Sequence, residues 1–144
     1  MLQEAVYTRL STDATVSGLV GTRIYPVLAP EGVALPYITY QRIAVDHVES
    51  VAGSSGLANA LVQVDCWAAS YAGANALGEA VRLRMQGFRG TVGSQDIQAV
   101  LLSSDRDAPE DPVRIERGGV HGDEVGIHGV QFDFDIWYCE AQPA

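Results

Sequence analysis

Val62-Gln63-Val64-Asp65-Cys66-Trp67 and Val130-Gln131-Phe132-Asp133-Phe134-Asp135-Ile136-Trp137 carry nearly the same pattern. Each alternates strictly, apolar at one position and Gln, Asp or Trp at the next. Successive side chains of a β-strand point to opposite faces of its sheet, so this period of two predicts two half-buried strands. Val62, Val64 and Cys66 are expected to share a core with Phe132, Phe134 and Ile136. Gln63, Asp65, Gln131, Asp133 and Asp135 then lie on the other face, with Trp67 and Trp137 at its edges. A sheet face so rich in carboxylates is no core, and it meets water or another protein.

Working outward, Tyr37-Ile38-Thr39-Tyr40-Gln41-Arg42-Ile43 is rich in β-branched and aromatic residues and predicts a strand over 37–48. Val51-Ala52-Gly53-Ser54-Ser55-Gly56 reads as a flexible tip from which the chain returns over 57–68 as a long hairpin. Residues 96–104 and 127–139 complete an antiparallel sheet of about four strands. Ser70 is a good N-cap, and Tyr71, Ala74, Leu77, Val81, Met85 and Phe88 recur at helical spacing, so one main helix with a core-facing stripe spans 70–86. Leu2, Ala5, Val6 and Leu10 make a first helix. Val16, Leu19 and Val20 make a shorter one after Ser11-Thr12-Asp13, stopped by Gly21. Pro26, Pro30 and Pro36 punctuate an extended connection, and 103–126 reads as a long charged excursion of a kind that is usually functional. The expected class is α+β, with the helices packed on one face of the sheet in a single domain over 1–144.

Composition narrows the functional classes. At 144 residues and 47% apolar, the chain has the makings of a packed core and is not disordered by composition. No apolar run approaches the length of a membrane helix, and Met1-Leu2-Gln3-Glu4 lacks the basic start of a signal peptide. Cys66 and Cys139 both fall in expected strands and read as reduced thiols. A net charge of −9 disfavours binding nucleic acid through its phosphates, and all nine basic residues are arginine. Such a charge suits a passage along which a polyanion must slide without sticking.

Catalytic signatures are missing. Gly53-Ser54-Ser55-Gly56 lacks the lysine and spacing of a phosphate-binding loop, and neither GxSxG nor GxGxxG occurs. His121-Gly122-Asp123-Glu124 with His128 can be drawn as a metal cluster, but no helix fixes it, and a solvated loop explains it as well. Asp65, Asp133 and Asp135 have no convergent His or Ser to make an acid–base pair of them. Trp67 and Trp137 can be half-buried strand ends or interface residues. We expect no catalytic residue, no cofactor and no metal.

Several segments in fixed order resemble one family. They are Val20-Gly21-Thr22-Arg23-Ile24-Tyr25-Pro26, Leu35-Pro36-Tyr37-Ile38-Thr39-Tyr40-Gln41-Arg42, Val62-Gln63-Val64-Asp65-Cys66-Trp67-Ala68, the helix over 71–85, and Phe132-Asp133-Phe134-Asp135-Ile136-Trp137-Tyr138. Together they resemble the tail completion, or tail terminator, proteins of long-tailed bacteriophages and gene-transfer agents. The chain departs from that family over 107–126, which is longer and more acidic. The resemblance implies a structural virion protein without catalysis, assembled in the bacterial host cytoplasm and resident in the virion tail. It implies a ring, expected to be a hexamer in the virion even where the isolated subunit is monomeric. The ring caps the tail tube, and its partners are other copies, the tail-tube protein and the head-completion or stopper protein. DNA passes through the lumen without specific binding, and no membrane is involved.

The residues fit that expectation. Gln63, Asp65, Trp67, Gln131, Asp133, Asp135 and Trp137 are the expected interface or lumen face, where carboxylates would repel phosphate. Gly53, Ser54, Ser55 and Gly56, with Arg114, Arg117, Gly118 and Gly119, are the expected mobile assembly loops that order on a neighbour. Two alternatives stay open: another connector such as a stopper or tube subunit, and an unrelated small-molecule-binding α+β domain, which would need a concave pocket with convergent polar groups.

Overall fold

The computed structural model describes residues 1–108 and 127–141. Three helices, α1 (Leu2–Ser11), α2 (Ala14–Val20) and α3 (Tyr71–Met85), accompany six strands. These are β1 (Ile24–Pro26), β2 (Tyr37–Ser50), β3 (Gly53–Ala68), β4 (Gly90–Val92), β5 (Gln95–Ala108) and β6 (His128–Cys139). They form one sheet in the order β1-β2-β3-β6-β5-β4. All pairs are antiparallel except β1 with β2.

The two opening segments are neighbours at the centre of this sheet. β3 and β6 pair without interruption from Leu57↔Cys139 to Ala68↔His128, so Val62 faces Phe134 and Val64 faces Phe132. Val64, Cys66, Phe134 and Ile136 are fully buried. A side chain of this size contributes roughly 1.5–3 kcal/mol when taken out of water. The alternation places Asp65, Asp133 and Asp135 opposite the core, as the pattern predicts.

α3 covers the core face. Ser70 Oγ accepts from the Gly73 N–H at 3.0 Å, satisfying one of the first-turn donors. Ala74, Leu77, Gly78, Ala80, Val81 and Met85 are its buried stripe. At Gly78 a Cβ would stand 3.3 Å from Phe132 Cζ and from Val130 Cγ1, so glycine lets the helix lie close on β6. α1 buries Leu2, Ala5, Val6 and Leu10, and α2 is capped by Asp13, whose Oδ2 accepts from the Val16 N–H at 3.0 Å. Among the described residues no helix is long and apolar enough to cross a membrane.

Several expectations are corrected. The sheet has six strands, because β1 and β4, three residues each, add to the edges. The flexible tip is only Val51-Ala52: Ser50 pairs with Gly53, and Gly53 through Gly56 belong to β3. The charged excursion starts later than 103, since Ser103 through Ala108 continue β5 against β6. Leu19 and Tyr71 are exposed rather than core. The Tyr71 hydroxyl donates to Asp107 Oδ2 at 2.9 Å, and its ring meets His128 edge-on.

Candidate functional site

The face of the sheet opposite α3 has no helix over it among the described residues. Cross-strand partners share a face, so the register gives its membership directly. β2 contributes Tyr37, Thr39 and Gln41, and β3 contributes Asn59, Leu61, Gln63, Asp65 and Trp67. β6 contributes Gly129, Gln131, Asp133, Asp135 and Trp137, and β5 contributes Leu101, Ser104, Arg106 and Ala108. All seven residues expected to form an interface or lumen face are therefore brought together.

Their environments differ. Gln63, Asp65, Gln131, Asp133, Asp135 and Trp137 are half-buried, whereas Trp67 is buried, deeper than the half-buried strand end that the sequence suggests. Trp67 pairs with Gly129 across the β3–β6 ladder, and a Cβ at position 129 would lie 2.6 Å from the indole ring. The missing side chain is what allows the indole to lie flat on the sheet. Its Nε1–H points to Thr39 Oγ1 at 3.4 Å, a long bond. This end of the face is closed by its own packing. At the other end, Trp137 shares the surface with Leu61 and with the exposed Leu101.

The polar groups between the two tryptophans are held by one another. Gln63 Nε2 donates to both oxygens of Asp65, at 2.9 and 3.1 Å. Arg106 Nη1 donates to Asp133 Oδ2 at 3.0 Å and to Ser104 Oγ at 2.8 Å. Asn59 Nδ2 donates to Asp135 Oδ1 at 2.6 Å. The second Asp133 oxygen, Oδ1, is buried and accepts no hydrogen bond from the described residues. Burial raises the Asp65 pKa above the ordinary carboxylate range, against the hydrogen bond from Gln63 and the charge of Arg106, which lower it. Asp133 adds a smaller push upward.

This arrangement can present negative potential. Burial pushes the Cys66 thiol far up, so it is no thiolate nucleophile at neutral pH. Among the described residues no group of three or more His, Cys, Asp or Glu is placed to hold a metal. Arg114, Arg117, Gly118, Gly119 and the cluster from His121 to Glu124 lie outside the described residues. Sequence reasoning missed Thr39, Asn59, Arg106 and Gly129. A register is needed to find them, and only Gly129, a glycine inside an alternating strand, left a signal.

Comparison with known proteins agrees with this architecture. Residues 4–138 match the family described as Tail completion protein gp17. A chain in the structure titled "Virion of native gene transfer agent (GTA) particle" is similar at a TM-score of 0.72 and 20% identity, over 96% of this chain and 94% of that one. At that identity the likeness speaks for the fold. The curated proteins give no significant match.

Proposed function

Because this chain belongs to the tail completion protein gp17 family of bacteriophage virion structural proteins, we propose that it acts as a tail terminator. In this reading copies of the chain form a ring, a hexamer, on the head-proximal end of the tail tube. The ring stops tube growth and offers the surface to which the head-completion or stopper protein joins. Assembly takes place in the host cytoplasm, and the isolated subunit stays monomeric until the tube supplies a template.

The observation that carries the reading is the family match over nearly the whole chain, and the uncovered face supports it. Asp65, Asp133 and Asp135 would line the lumen or a subunit boundary. Among the described residues Arg106 is the arginine on this surface, and it is held by Asp133 and Ser104 and so is not free to grip phosphate. Passing DNA would meet carboxylates and amides, which do not neutralise phosphate and so do not displace its condensed counterions. The Trp137–Leu101 end, more apolar, suits contact with protein.

Mass measurement of the purified chain, alone and with its tail-tube protein, tests the reading. The expected result is a monomer alone, a ring on one end of each tube, and tubes of uncontrolled length when the chain is left out. A chain that polymerises into tubes by itself is a tube subunit, and the terminator assignment then fails. Asp135→Arg tests the face: tails of normal length with attached heads but poor DNA delivery are expected. Full infectivity would move the lumen surface elsewhere.

A further inference from the structure

On the other side of the molecule, where α1 and α2 cross α3, lies a shallow depression of about 200 Å³ lined by Arg9, Asp13, Thr15, Ala80, Leu83 and Arg84. The two arginines are clamped by each other's backbone. Arg9 Nε donates to the Arg84 carbonyl at 3.2 Å, and Arg84 Nε donates to the Arg9 carbonyl at 2.7 Å. The Arg9 guanidinium stacks on Phe88 at 3.8 Å, and Arg84 Nη2 reaches Thr12 Oγ1. Both heads are thus fixed in place, and among the described residues neither forms a salt bridge. Burial and the neighbouring Arg84 charge both lower the Arg9 pKa, with Asp13 offsetting only part of this. In a chain with a net charge of −9, two adjacent cations that Asp13 offsets only in part, beside the exposed Leu83, make a surface suited to a segment that is both anionic and apolar.

The chain carries such a segment at a different place. The β2–β3 hairpin runs past the end of β6, whose last partner on β3 is Leu57. Its overhang bears the exposed Glu49, and its turn is Val51-Ala52 where Asn-Gly would be ordinary. Val51 is fully solvent-exposed and Val48 is exposed. Neither valine belongs to the buried core.

We propose that the Arg9/Arg84 depression of one copy receives the Glu49–Val51 tip of the hairpin from the next copy, Glu49 meeting the guanidiniums and Val51 packing on Leu83. The inference rests on the ring reading above and supplies its contact. Tip and depression are different patches of one chain, so the contact is head-to-tail, the type from which a ring is built when the rotation between copies closes. Copies that repel one another by net charge would then associate only where unlike charges meet.

The test uses the full-length chain on assembled tails, with Cys139→Ser removing the exposed thiol. Val51→Cys combined with Leu83→Cys should give, under oxidation, a ladder of covalent multimers in tails, and neither single variant should. Glu49→Arg, at an exposed tip that the fold does not use, should lower ring occupancy about tenfold or more, as should Arg84→Glu, and the double variant should recover most of it. Rings visible by electron microscopy without a ladder overturn the docking and leave the ring reading standing. A double variant no better than Glu49→Arg overturns it too, provided its melting curve matches wild type. Wild-type tails lacking a ring overturn both.

Discussion

The two tryptophans occupy equivalent places in repeated sequence patterns, yet the structure uses them differently. Trp67 faces Gly129 and is buried by its own chain, whereas Trp137 faces Asn59 and Ala99 and stays half open. The local sequence around them, Gln-Val-Asp-Cys-Trp and Asp-Phe-Asp-Ile-Trp, gives no reason for the difference. The partner strand decides it: where the opposite residue has no side chain, the indole lies down and becomes core. Where the neighbours are Leu61 and Leu101, it remains surface. One end of the face is therefore closed by folding, and the other stays open at its surface.

The largest expected effect follows at the closed end. Trp67→Ala should cost about 3–5 kcal/mol, read as a lowered denaturant midpoint with an unchanged slope. Gly129→Ala attacks the same contact from the other strand and should cost about 1–3 kcal/mol, because a methyl 2.6 Å from the ring forces the indole off its seat. A Gly129→Ala chain as stable as wild type would mean that Trp67 moves freely, and the contrast between the two ends would collapse. At the open end, Trp137→Ala should change stability by no more than about 1 kcal/mol while impairing tail joining in complementation. Equal losses of stability for the two tryptophan variants would erase the division of labour.

The smallest expected effect sharpens the polar middle. A carboxyl whose folded pKa lies above its unfolded value contributes most below the unfolded value, and that contribution is lost as pH rises through the folded one. Asp65, raised by burial, is such a group. Asp65→Asn keeps an oxygen for Gln63 and should raise the melting temperature by about one or two degrees at pH 7. The advantage should fade as the pH drops toward about 3, below the ordinary aspartate value of about 3.9, where Asp65 is neutral in both states. A variant that melts lower at pH 7 would show that the charge is satisfied where it stands.

What the sequence disclosed, and what it hid, follows from the range of each signal. Alternation over β3 and β6 was legible because each strand has one dry and one half-wet face, and every residue from Val62 to Cys66 and from Val130 to Ile136 obeys it. α3 was legible from its cap at Ser70 and its stripe. β1 and β4 were not, since three residues cannot express a period. Asp105 through Ala108 read as loop because both sides of that end of β5 are polar: the Arg106 guanidinium donates to Asp133, and Asp107 accepts from the Tyr71 hydroxyl. Tyr71 fitted the helical stripe but stands in its first turn, beyond the sheet's cover. The candidate face was legible as a set of residues. Its internal bonds were not, because Asn59–Asp135 and Arg106–Asp133 depend on a register that no single strand contains.

That register has a consequence for how the chain reaches its fold. Among the described residues β6 is the last strand in sequence but lies between β3 and β5, both earlier in the chain, and every pair it makes with β3 is remote along the chain. Such non-local pairing makes closure of the sheet slow compared with formation of the β2–β3 hairpin or α3. Until β6 inserts, β3 and β5 each display a bare inner edge, and the apolar side of Val62, Val64 and Cys66 lacks Phe132 and Phe134. The hazard of strand-to-strand aggregation therefore belongs to the unfinished chain.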